Sequence, residues 1–268
     1  MHDYKKNAEI TELYGLKDRV AVVTGAPGRV GRQLSLALAQ AGATVVVADL
    51  PERSRAEFVQ ELKQSDYNAI EVGIDITREE SVEAALEVVM KETGRIDILV
   101  NNAGVSTMVS VEDMPVAEFE RVMRVNVTGT FICSKVFSRP MIKAGRGSII
   151  NVGSIYGVVA ADQRIYDVPG PRRNSSVVYA ASKAAIIQMT RYLAIYWADK
   201  GIRVNAISPG GVFNNQNEEF LESYCSRVPM GRMVGPTDLM GAVVFLASDA
   251  STCIIGQNLI VDGGWTAW

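Results

Sequence analysis

A tyrosine and a lysine, Tyr179 and Lys183, lie four residues apart in a segment with a helical pattern. Because side chains at i and i+4 share one face of a helix, the ammonium group can approach the phenol and lower its pKa. A free phenol has a pKa of about 10, and acid–base catalysis is most effective when the pKa lies near the working pH. The only histidine is His2, close to a terminus, so a general acid or base must be a tyrosine, a lysine or a carboxylate. The pair therefore predicts proton exchange with a substrate oxygen.

A serine, Ser154, follows a β-branched segment that ends at Val152. Open α/β sheets bind their ligands in the crevice outside the carboxyl ends of the strands. We expect the Ser154 hydroxyl to hold and polarise a substrate oxygen there. Taken singly, Ser154, Tyr179 and Lys183 have ordinary alternatives: a serine at a strand end, a tyrosine at the edge of the core and a solvated lysine.

A glycine-rich turn, Thr24-Gly25-Ala26-Pro27-Gly28-Arg29-Val30-Gly31, follows the first predicted strand and opens a helix. Glycines let the backbone approach a pyrophosphate, and the amides at a helix N-terminus face it. A dinucleotide is the predicted ligand, and a plain strand-to-helix turn is the alternative. The residues expected to contact the ligand are Gly25, Gly28, Arg29, Val30 and Gly31.

An acidic residue, Asp49, ends the second predicted strand, about twenty residues after the glycine-rich turn. Its carboxylate can accept hydrogen bonds from the ribose hydroxyls of an adenosine and would repel a 2′-phosphate, so it favours NAD over NADP. The alternative is that Asp49 caps the helix predicted to start near Glu52. Arg29, beside the phosphates, keeps NADP possible.

The elements that must position these residues alternate between short apolar strands and longer amphipathic segments. The predicted strands are Arg19–Thr24, Thr44–Ala48, Ala69–Gly73, Ile96–Val100, Ser148–Val152, Arg203–Ile207 and Asn258–Val261. The predicted helices are Val30–Ala41, Glu52–Gln64, Glu79–Glu92, Val116–Lys143, Val178–Lys200 and Thr237–Ala247, with stops at Gly42, Gly94 and Gly201. Strands that are apolar throughout are buried on both faces, which predicts helices on both sides of a parallel sheet. The predicted fold is α/β, a single-domain doubly wound Rossmann-type sheet of seven parallel strands over residues 1–268.

The composition argues against several classes of function. The net charge is −3 and the lysines and arginines are scattered, so we expect no nucleic-acid partner. Residues 1–17, interpreted as an N-terminal extension, lack the apolar core of a signal peptide, and no apolar run is long enough to span a bilayer. We therefore expect a cytoplasmic protein without membrane contact. Cys133, Cys225 and Cys253 are far apart and predict neither a disulfide framework nor a metal site.

A set of motifs stands in a recognisable order along the chain. The motifs are Asp75-Ile76-Thr77, Asn101-Asn102-Ala103-Gly104, Asn126-Val127-Thr128-Gly129, Asn151-Val152-Gly153-Ser154, Tyr179-Ala180-Ala181-Ser182-Lys183 and Pro209-Gly210. With the glycine-rich turn, they make the chain resemble the classical short-chain dehydrogenase/reductase family over nearly its whole length.

The resemblance implies an NAD(P)-dependent oxidoreductase that moves a hydride between the nicotinamide and an alcohol or ketone carbon. It implies that Tyr179 exchanges the proton, that Lys183 also holds the nicotinamide ribose, and that Asn126 holds a water linking Lys183 to solvent. A buried, satisfied amide that interrupts the helix is the alternative for Asn126. The further cofactor contacts that it implies are Leu50, Asp75, Ile76, Asn102, Ala103, Gly104, Pro209, Gly210 and the main chain of Val212.

The chain departs from the family pattern in the turn, where Arg29 replaces the middle glycine, and between Ser154 and Tyr179, which are unusually far apart. The excess is an insertion over residues 162–177, near the active site, with charges of both signs. Polar groups there favour a sugar, polyol or sugar-derived substrate, and a surface loop with solvated charges is the alternative. Residues that could bind an acid or phosphate are Arg164, Arg172 and Arg173. The segment Phe213–Arg227, in the position of the family's mobile substrate loop, is rich in amides and fits a hydroxylated ligand.

Three other functions stay open: a 3-oxoacyl-thioester reductase, a nucleotide-sugar epimerase or dehydratase, and a non-catalytic NAD-binding regulator. Epimerase relatives usually have a larger C-terminal domain, and the intact Ser-Tyr-Lys set argues against a regulator. The family commonly forms tetramers, so we expect a homotetramer or a homodimer. Trp265 and Trp268 are large aromatics that we expect to be buried at a subunit contact.

Overall fold

The structure, a computed structural model, describes residues 9–53, 55–167 and 174–268. One parallel sheet contains β1 (Val20–Thr24), β2 (Thr44–Asp49), β3 (Ala69–Gly73), β4 (Ile98–Asn101), β5 (Gly147–Val152), β6 (Ile202–Pro209) and β7 (Asn258–Val261). The strand order is β3-β2-β1-β4-β5-β6-β7, so the order reverses between β1 and β4. The predicted fold class and all seven predicted strands are confirmed, with ends that move by at most two residues. Among the described residues, no helix is long and apolar enough to cross a membrane.

The helices are α1 (Ile10–Tyr14), α2 (Arg29–Gln40), α3 (Ala56–Gln64), α4 (Glu79–Thr93), α5 (Val116–Met123), α6 (Thr130–Ala144), α7 (Val177–Tyr196), α8 (Glu218–Cys225) and α9 (Met240–Ala247). Alternate residues of the central strands face opposite layers of helices. Val23 packs in a cluster with Leu38 of α2, whereas Val22 packs in a cluster with Val136 of α6. As predicted, the central strands are apolar on both faces, and a layer of helices covers each face.

One predicted helix, Val116–Lys143, is in fact three segments. A π-helical turn, Arg124–Gly129, separates α5 from α6. Within it, the Asn126 side chain is bonded to Val105, and the Asn126 carbonyl accepts a hydrogen bond from the Thr130 hydroxyl at 2.7 Å. Side-chain bonds of this kind compete with the helical hydrogen-bond ladder, and π-turns occur frequently at functional sites.

Other helix boundaries differ from the prediction for local reasons. Helix α3 begins at Ala56 rather than Glu52, because the Arg55 guanidinium donates to the carbonyls of Asp49 and Leu50 and fixes the preceding turn. Helix α7 ends at Tyr196, before a 3-10 turn over Ala198–Lys200. Helices α1 and α8 were not predicted from the sequence.

A third apolar cluster lies beside the carboxyl edge of the sheet. It joins Ile165 of the insertion to Phe220 and Tyr224 of α8 and to Trp265. Trp265 stacks on Tyr224 within its own chain, with ring centroids 4.6 Å apart, so its ring is buried without a subunit contact. Trp268 is exposed.

The three predicted helix stops, Gly42, Gly94 and Gly201, all have positive φ. Gly94 and Gly201 both have φ of 72°, but their surroundings differ. A Cβ on Gly94 would meet no atom within 4 Å, whereas a Cβ on Gly201 would overlap the Gly145 carbonyl oxygen. A side chain at Gly94 would therefore cause backbone strain alone, whereas a side chain at Gly201 would add steric overlap.

We expect Gly94→Ala to lower the free energy of unfolding by about 1 kcal/mol, the strain of the left-handed backbone. Gly201→Ala should cost about 1 to 3 kcal/mol more, because the backbone of Gly145 must move. Urea unfolding of the two variants and the parent measures the difference. Equal losses would contradict the overlap at Gly201.

Candidate active site

A cavity of about 520 Å³ lies at the carboxyl ends of β1, β2 and β4. Twelve of the residues predicted to contact a dinucleotide line it: Gly25, Gly28, Arg29, Val30, Gly31, Asp49, Leu50, Asp75, Ile76, Asn102, Ala103 and Gly104. The structure therefore brings the glycine-rich turn and the ends of three strands into one cleft. Sequence reasoning missed Arg53 and Arg121, which also line this cavity, because no motif contains them.

The glycine-rich turn is packed too tightly for side chains. A Cβ on Gly31 would overlap the Gly25 carbonyl oxygen and lie 2.8 Å from the Ala26 Cα. A Cβ on Gly25 would lie 2.9 Å from the Ala103 Cα. Glycine is therefore needed at both positions for the turn to pack against the start of α2 and the end of β4, as in a dinucleotide-binding turn.

Hydrogen bonds join this turn to the end of β4. The Asn102 side chain donates to the carbonyls of Thr24 and Gly25, each at 3.0 Å. The Thr24 hydroxyl accepts from the backbone amides of Asn102 and Ala103, each at 3.1 Å, and donates to the Val100 carbonyl. These contacts hold the two sides of the cleft in register.

The carboxylate of Asp49 has one oxygen free to accept hydrogen bonds. The residue is 7% exposed, its Oδ1 accepts from the Leu50 amide at 2.7 Å, and its Oδ2 has no hydrogen-bond partner. Helix α3 has no side-chain cap, so the alternative that Asp49 caps this helix is wrong. A buried acceptor without a donor fits a ribose hydroxyl.

Three arginines, Arg29, Arg53 and Arg121, surround the same end of the cleft. The Arg53 guanidinium lies 3.8 Å from the Asp49 Oδ2, and its side chain is largely exposed. Because exposed guanidinium groups can pair with phosphate, this end could also accept a phosphorylated ribose. The residues present fit a nicotinamide dinucleotide of either kind.

A second cavity of about 440 Å³ continues from the first, since both are lined by Val30, Asn102 and Gly104. Six further predicted site residues line this part: Ser154, Tyr179, Lys183, Pro209, Gly210 and Val212. The insertion between Ser154 and Tyr179 therefore leaves the three chemically active side chains together. The cleft extends from Asp49 to Ser154, Tyr179 and Lys183.

Burial shifts the pKa values of Lys183 and Tyr179, the two groups that could exchange protons. Burial lowers the pKa of Lys183 from 10.5 to about 8. Burial also raises the pKa of Tyr179 above 10, and a hydrogen bond with Ser154 opposes this rise. The Lys183 ammonium donates to the Val152 carbonyl at 2.7 Å and lies 5.6 Å from the centroid of the Tyr179 ring. The expected lowering of the phenol pKa by Lys183 is therefore not observed in this structure.

Asn126 is fully buried and lines neither cavity. Its Oδ1 accepts from the Val105 amide at 2.8 Å, and its Nδ2 donates to the Val105 carbonyl and the Ser182 hydroxyl, each at 2.9 Å. The side chain thus ties the loop after β4 to α7, next to Lys183. Its contacts are those of a positioning residue.

Aromatic residues form the outer wall of the second cavity. This wall contains Tyr156, Phe220, Tyr224 and Met233, together with Tyr166 of the insertion and Gln216. Phe220, Tyr224 and Gln216 fall in the segment Phe213–Arg227, predicted as the substrate loop, but the two aromatic residues were not singled out. Sequence reasoning missed Tyr156, whose only signal is its position two residues after Ser154, and Met233, which no motif marks.

In the described part of the insertion, the charged groups of Asp162 and Arg164 pair with other protein groups. Arg164 does not line the cavity, is exposed, and pairs with Asp162 at 2.8 Å. The hypothesis that Arg164 binds an acidic substrate group is therefore wrong. Arg172 and Arg173, for which the same role was expected, lie outside the described residues.

Comparisons with known proteins agree with this site. A family model described as enoyl-(acyl carrier protein) reductase matches residues 25–266. The chain is 35% identical over 258 residues to an NAD-dependent glycerol dehydrogenase of Listeria innocua, across 94% of this chain and 96% of that protein. The chain belongs to the short-chain dehydrogenase/reductase family.

Two solved structures extend the similarity of this short-chain dehydrogenase/reductase to proteins with cofactor bound. A short-chain dehydrogenase from Leptospira borgpetersenii with bound NAD+ has 38% identity, a TM-score of 0.84 and 99% coverage of both chains. A gluconate 5-dehydrogenase from Burkholderia cenocepacia, in complex with NADP and tartrate, has 32% identity and a TM-score of 0.88, with 97% of this chain and 100% of that chain covered. The protein is therefore an NAD(P)-dependent oxidoreductase that acts on alcohol groups.

We expect Asp49→Ala to weaken the preference of this dehydrogenase for NAD over NADP by about tenfold, because a carboxylate beside a 2′-phosphate is repulsive. Fluorescence titration of both cofactors measures the two Kd values. Glu52→Ala, which removes a nearby carboxylate outside the cavity, is the control. An unchanged preference in Asp49→Ala would contradict the selector role and direct attention to Arg29.

The buried lysine predicts a pH dependence of stability. Because the pKa of Lys183 is lower in the folded protein than in the unfolded chain, the unfolded chain binds more protons between about pH 8 and 10.5. The free energy of unfolding of the parent, relative to Lys183→Met, should therefore rise with pH across this window, by on the order of 3 kcal/mol in total. Urea unfolding of both proteins at several pH values measures this difference. A difference that stays constant or falls would contradict the buried state of Lys183.

Proposed function

We propose that this enzyme interconverts a secondary alcohol and a ketone on a compact hydroxylated substrate, a sugar, polyol or sugar-derived compound, with NAD(H). The observation that carries the proposal is the meeting of Ser154, Tyr179 and Lys183 in one cavity that continues into the dinucleotide cleft. A bound nicotinamide supplies the hydride acceptor or donor. The protein must hold the substrate oxygen and exchange one proton with it.

Tyr179 is the group proposed to exchange that proton. In the direction of reduction, the neutral phenol donates its proton to the carbonyl oxygen, and Ser154 holds that oxygen by a hydrogen bond. In the direction of oxidation, Tyr179 must first lose its proton, and the buried ammonium of Lys183 stabilises the resulting phenolate. Asn126 is proposed to position Lys183 through Ser182 and to hold a water that returns protons to Lys183.

The residues proposed to hold the dinucleotide follow the cleft from end to end. Asp49 and Leu50 receive the adenosine ribose, and the backbone of the glycine-rich turn receives the pyrophosphate. The walls of the adenosine half are Asp75, Ile76, Asn102, Ala103 and Gly104. The nicotinamide half is proposed to contact Lys183, Pro209, Gly210 and Val212.

The substrate class follows from the lining of the second cavity. Four phenols and the Gln216 amide can hydrogen-bond to hydroxyl groups, and Lys183 is the only charged group among the described residues that line it. The glycerol and gluconate dehydrogenases to which the chain is similar are named for hydroxylated substrates. A neutral polyhydroxylated compound therefore fits better than a long acyl chain.

We expect the purified protein to reduce NAD with at least one polyol, sugar or sugar acid of a substrate panel, followed by the absorbance of the reduced nicotinamide. Tyr179→Phe should lower kcat by about 100-fold or more, because it removes the proton-exchanging group. Tyr67→Phe, which removes a phenol at the opposite edge of the sheet, is the matched control. Turnover of 3-oxoacyl thioesters alone would support the thioester reductase instead. Cofactor binding without turnover of any compound would favour a regulator.

We also propose that the protein assembles as a homodimer or homotetramer. Helices α6 and α7 pack on the same face of the sheet and expose large apolar side chains, among them Phe131, Tyr192, Ile195 and Tyr196. Exposed apolar clusters on a folded domain commonly mark contacts with another protein surface. A second copy of the chain is the occupant that the proposal names.

We expect Ile195→Asp to shift the mass measured by light scattering after size-exclusion chromatography from the oligomer towards the monomer, because it places a carboxylate in an apolar contact. Ile10→Asp, at an exposed apolar residue of α1, should leave the mass unchanged. A parent protein that is monomeric would overturn the assembly. An oligomer that persists in Ile195→Asp would place the contact on another surface.

A further inference from the structure

The insertion is anchored beside the active site at three points. The Ile165 side chain is fully buried in the cluster with Phe220 and Trp265. The Gln163 amide exchanges two hydrogen bonds with the backbone of Ser175, at 3.2 and 3.3 Å, and closes the base of the loop. The Asp162 carboxylate pairs with Arg227, just after α8, at 2.9 Å. The described part of the insertion is therefore held by the substrate-side elements.

This anchoring places the phenol of Tyr166 in the substrate cavity. The hydroxyl of Tyr166 lies 2.9 Å from the hydroxyl of Tyr156, and both residues line the cavity with Ser154 and Tyr179. The Tyr166 ring packs against Phe220, with centroids 5.7 Å apart, and this contact supports the ring on one side. The Tyr156 amide donates to the Ser154 hydroxyl oxygen at 3.2 Å, which fixes this phenol relative to the substrate-holding serine.

The two phenols are neutral. Burial raises the pKa of Tyr156 and of Tyr166. The Ser175 side chain also forms a hydrogen bond with Tyr166. When Ser175 donates to Tyr166 and Tyr166 donates to Tyr156, the Tyr156 hydroxyl keeps its donor, and acceptor sites remain, for a third group. A substrate hydroxyl can accept from the remaining donor and donate to the partner oxygen, whereas a methylene group at the same place can do neither.

We propose that Tyr166, carried by the insertion, and Tyr156 together bind a second hydroxyl group of the substrate, close to the alcohol that is oxidised, and so select diols and polyols over simple alcohols. This specificity site rests on the proposed function, since it is placed beside the triad proposed to carry the chemistry. It assigns the insertion a role in recognition that does not depend on its charged residues.

The selectivity arises when the substrate excludes water from the cavity. A buried donor left without a partner is unfavourable by an amount that corresponds to a loss of about tenfold to 100-fold in affinity. A diol keeps both phenols bonded, while a mono-alcohol of the same shape leaves one donor unpaired. The preference for the diol should therefore depend on the phenol hydroxyls and not on the rings.

The test compares cyclohexane-1,2-diol with cyclohexanol, which share a ring and a secondary alcohol but differ by one hydroxyl. In NAD-dependent oxidation, Tyr166→Phe should lower kcat/KM for the diol by about tenfold and leave that for cyclohexanol unchanged. Tyr156→Phe should have the same effect, and the double variant should lose little more, because the two hydroxyls act as one unit. Tyr67→Phe is the control. Equal losses for both compounds would show a structural role and overturn the inference.

Calorimetric titration of the same two compounds into the protein saturated with NADH separates binding from turnover. We expect the Kd of the diol to rise about tenfold in Tyr166→Phe, with no change for cyclohexanol. This result without any oxidation would support the phenol pair and overturn the proposed function. A diol that fails to bind, or binds equally to the parent and Tyr166→Phe, would overturn the phenol pair, whatever the turnover.

Discussion

The hydrogen bonds between Thr24 and Asn102 fasten the carboxyl end of β1 to that of β4, at the point where the strand order reverses. The connections after these two strands leave in opposite directions there, and a crevice opens between them. The rest of the site is arranged along this crevice. On one side lie Asp49 and the glycine-rich turn, proposed to receive the adenosine end of the cofactor, and on the other the sheet continues to Ser154 and to Lys183 on α7.

Burial then determines what the groups in the crevice can do. The same low-dielectric surroundings that raise the pKa of Tyr179 lower that of Lys183, so both neutral forms are favoured. The Val152 carbonyl partly offsets the cost of burying the charged Lys183 side chain, because it accepts a hydrogen bond from the ammonium group. The outer wall follows the same rule, since the hydrogen bond between Tyr156 and Tyr166 uses one of their two donors, and the donor that remains would be costly to bury without a partner.

The sheet and the grouping of the motif residues could be predicted from the sequence, because strands that are apolar on both faces and turns rich in glycine depend on local chemistry. The interruption of the helix at Asn126 was predicted only as an alternative, since it depends on contacts with Val105, far along the chain. The packing of the insertion could not be predicted from the sequence. Its charges suggested ligand contacts, whereas its apolar Ile165 decides how it packs and its Tyr166 reaches the cavity.

The central claim is the direct transfer of hydrogen from a carbinol carbon to NAD. The most direct measurement uses a polyol that carries deuterium at its secondary carbinol carbons, incubated with the protein and NAD, followed by mass spectrometry of the NADH. We expect NADH in which deuterium replaces one hydrogen, and a ketone that has lost the label at the oxidised carbon. NADH without the label, or the absence of NADH with every polyol tried, would contradict it.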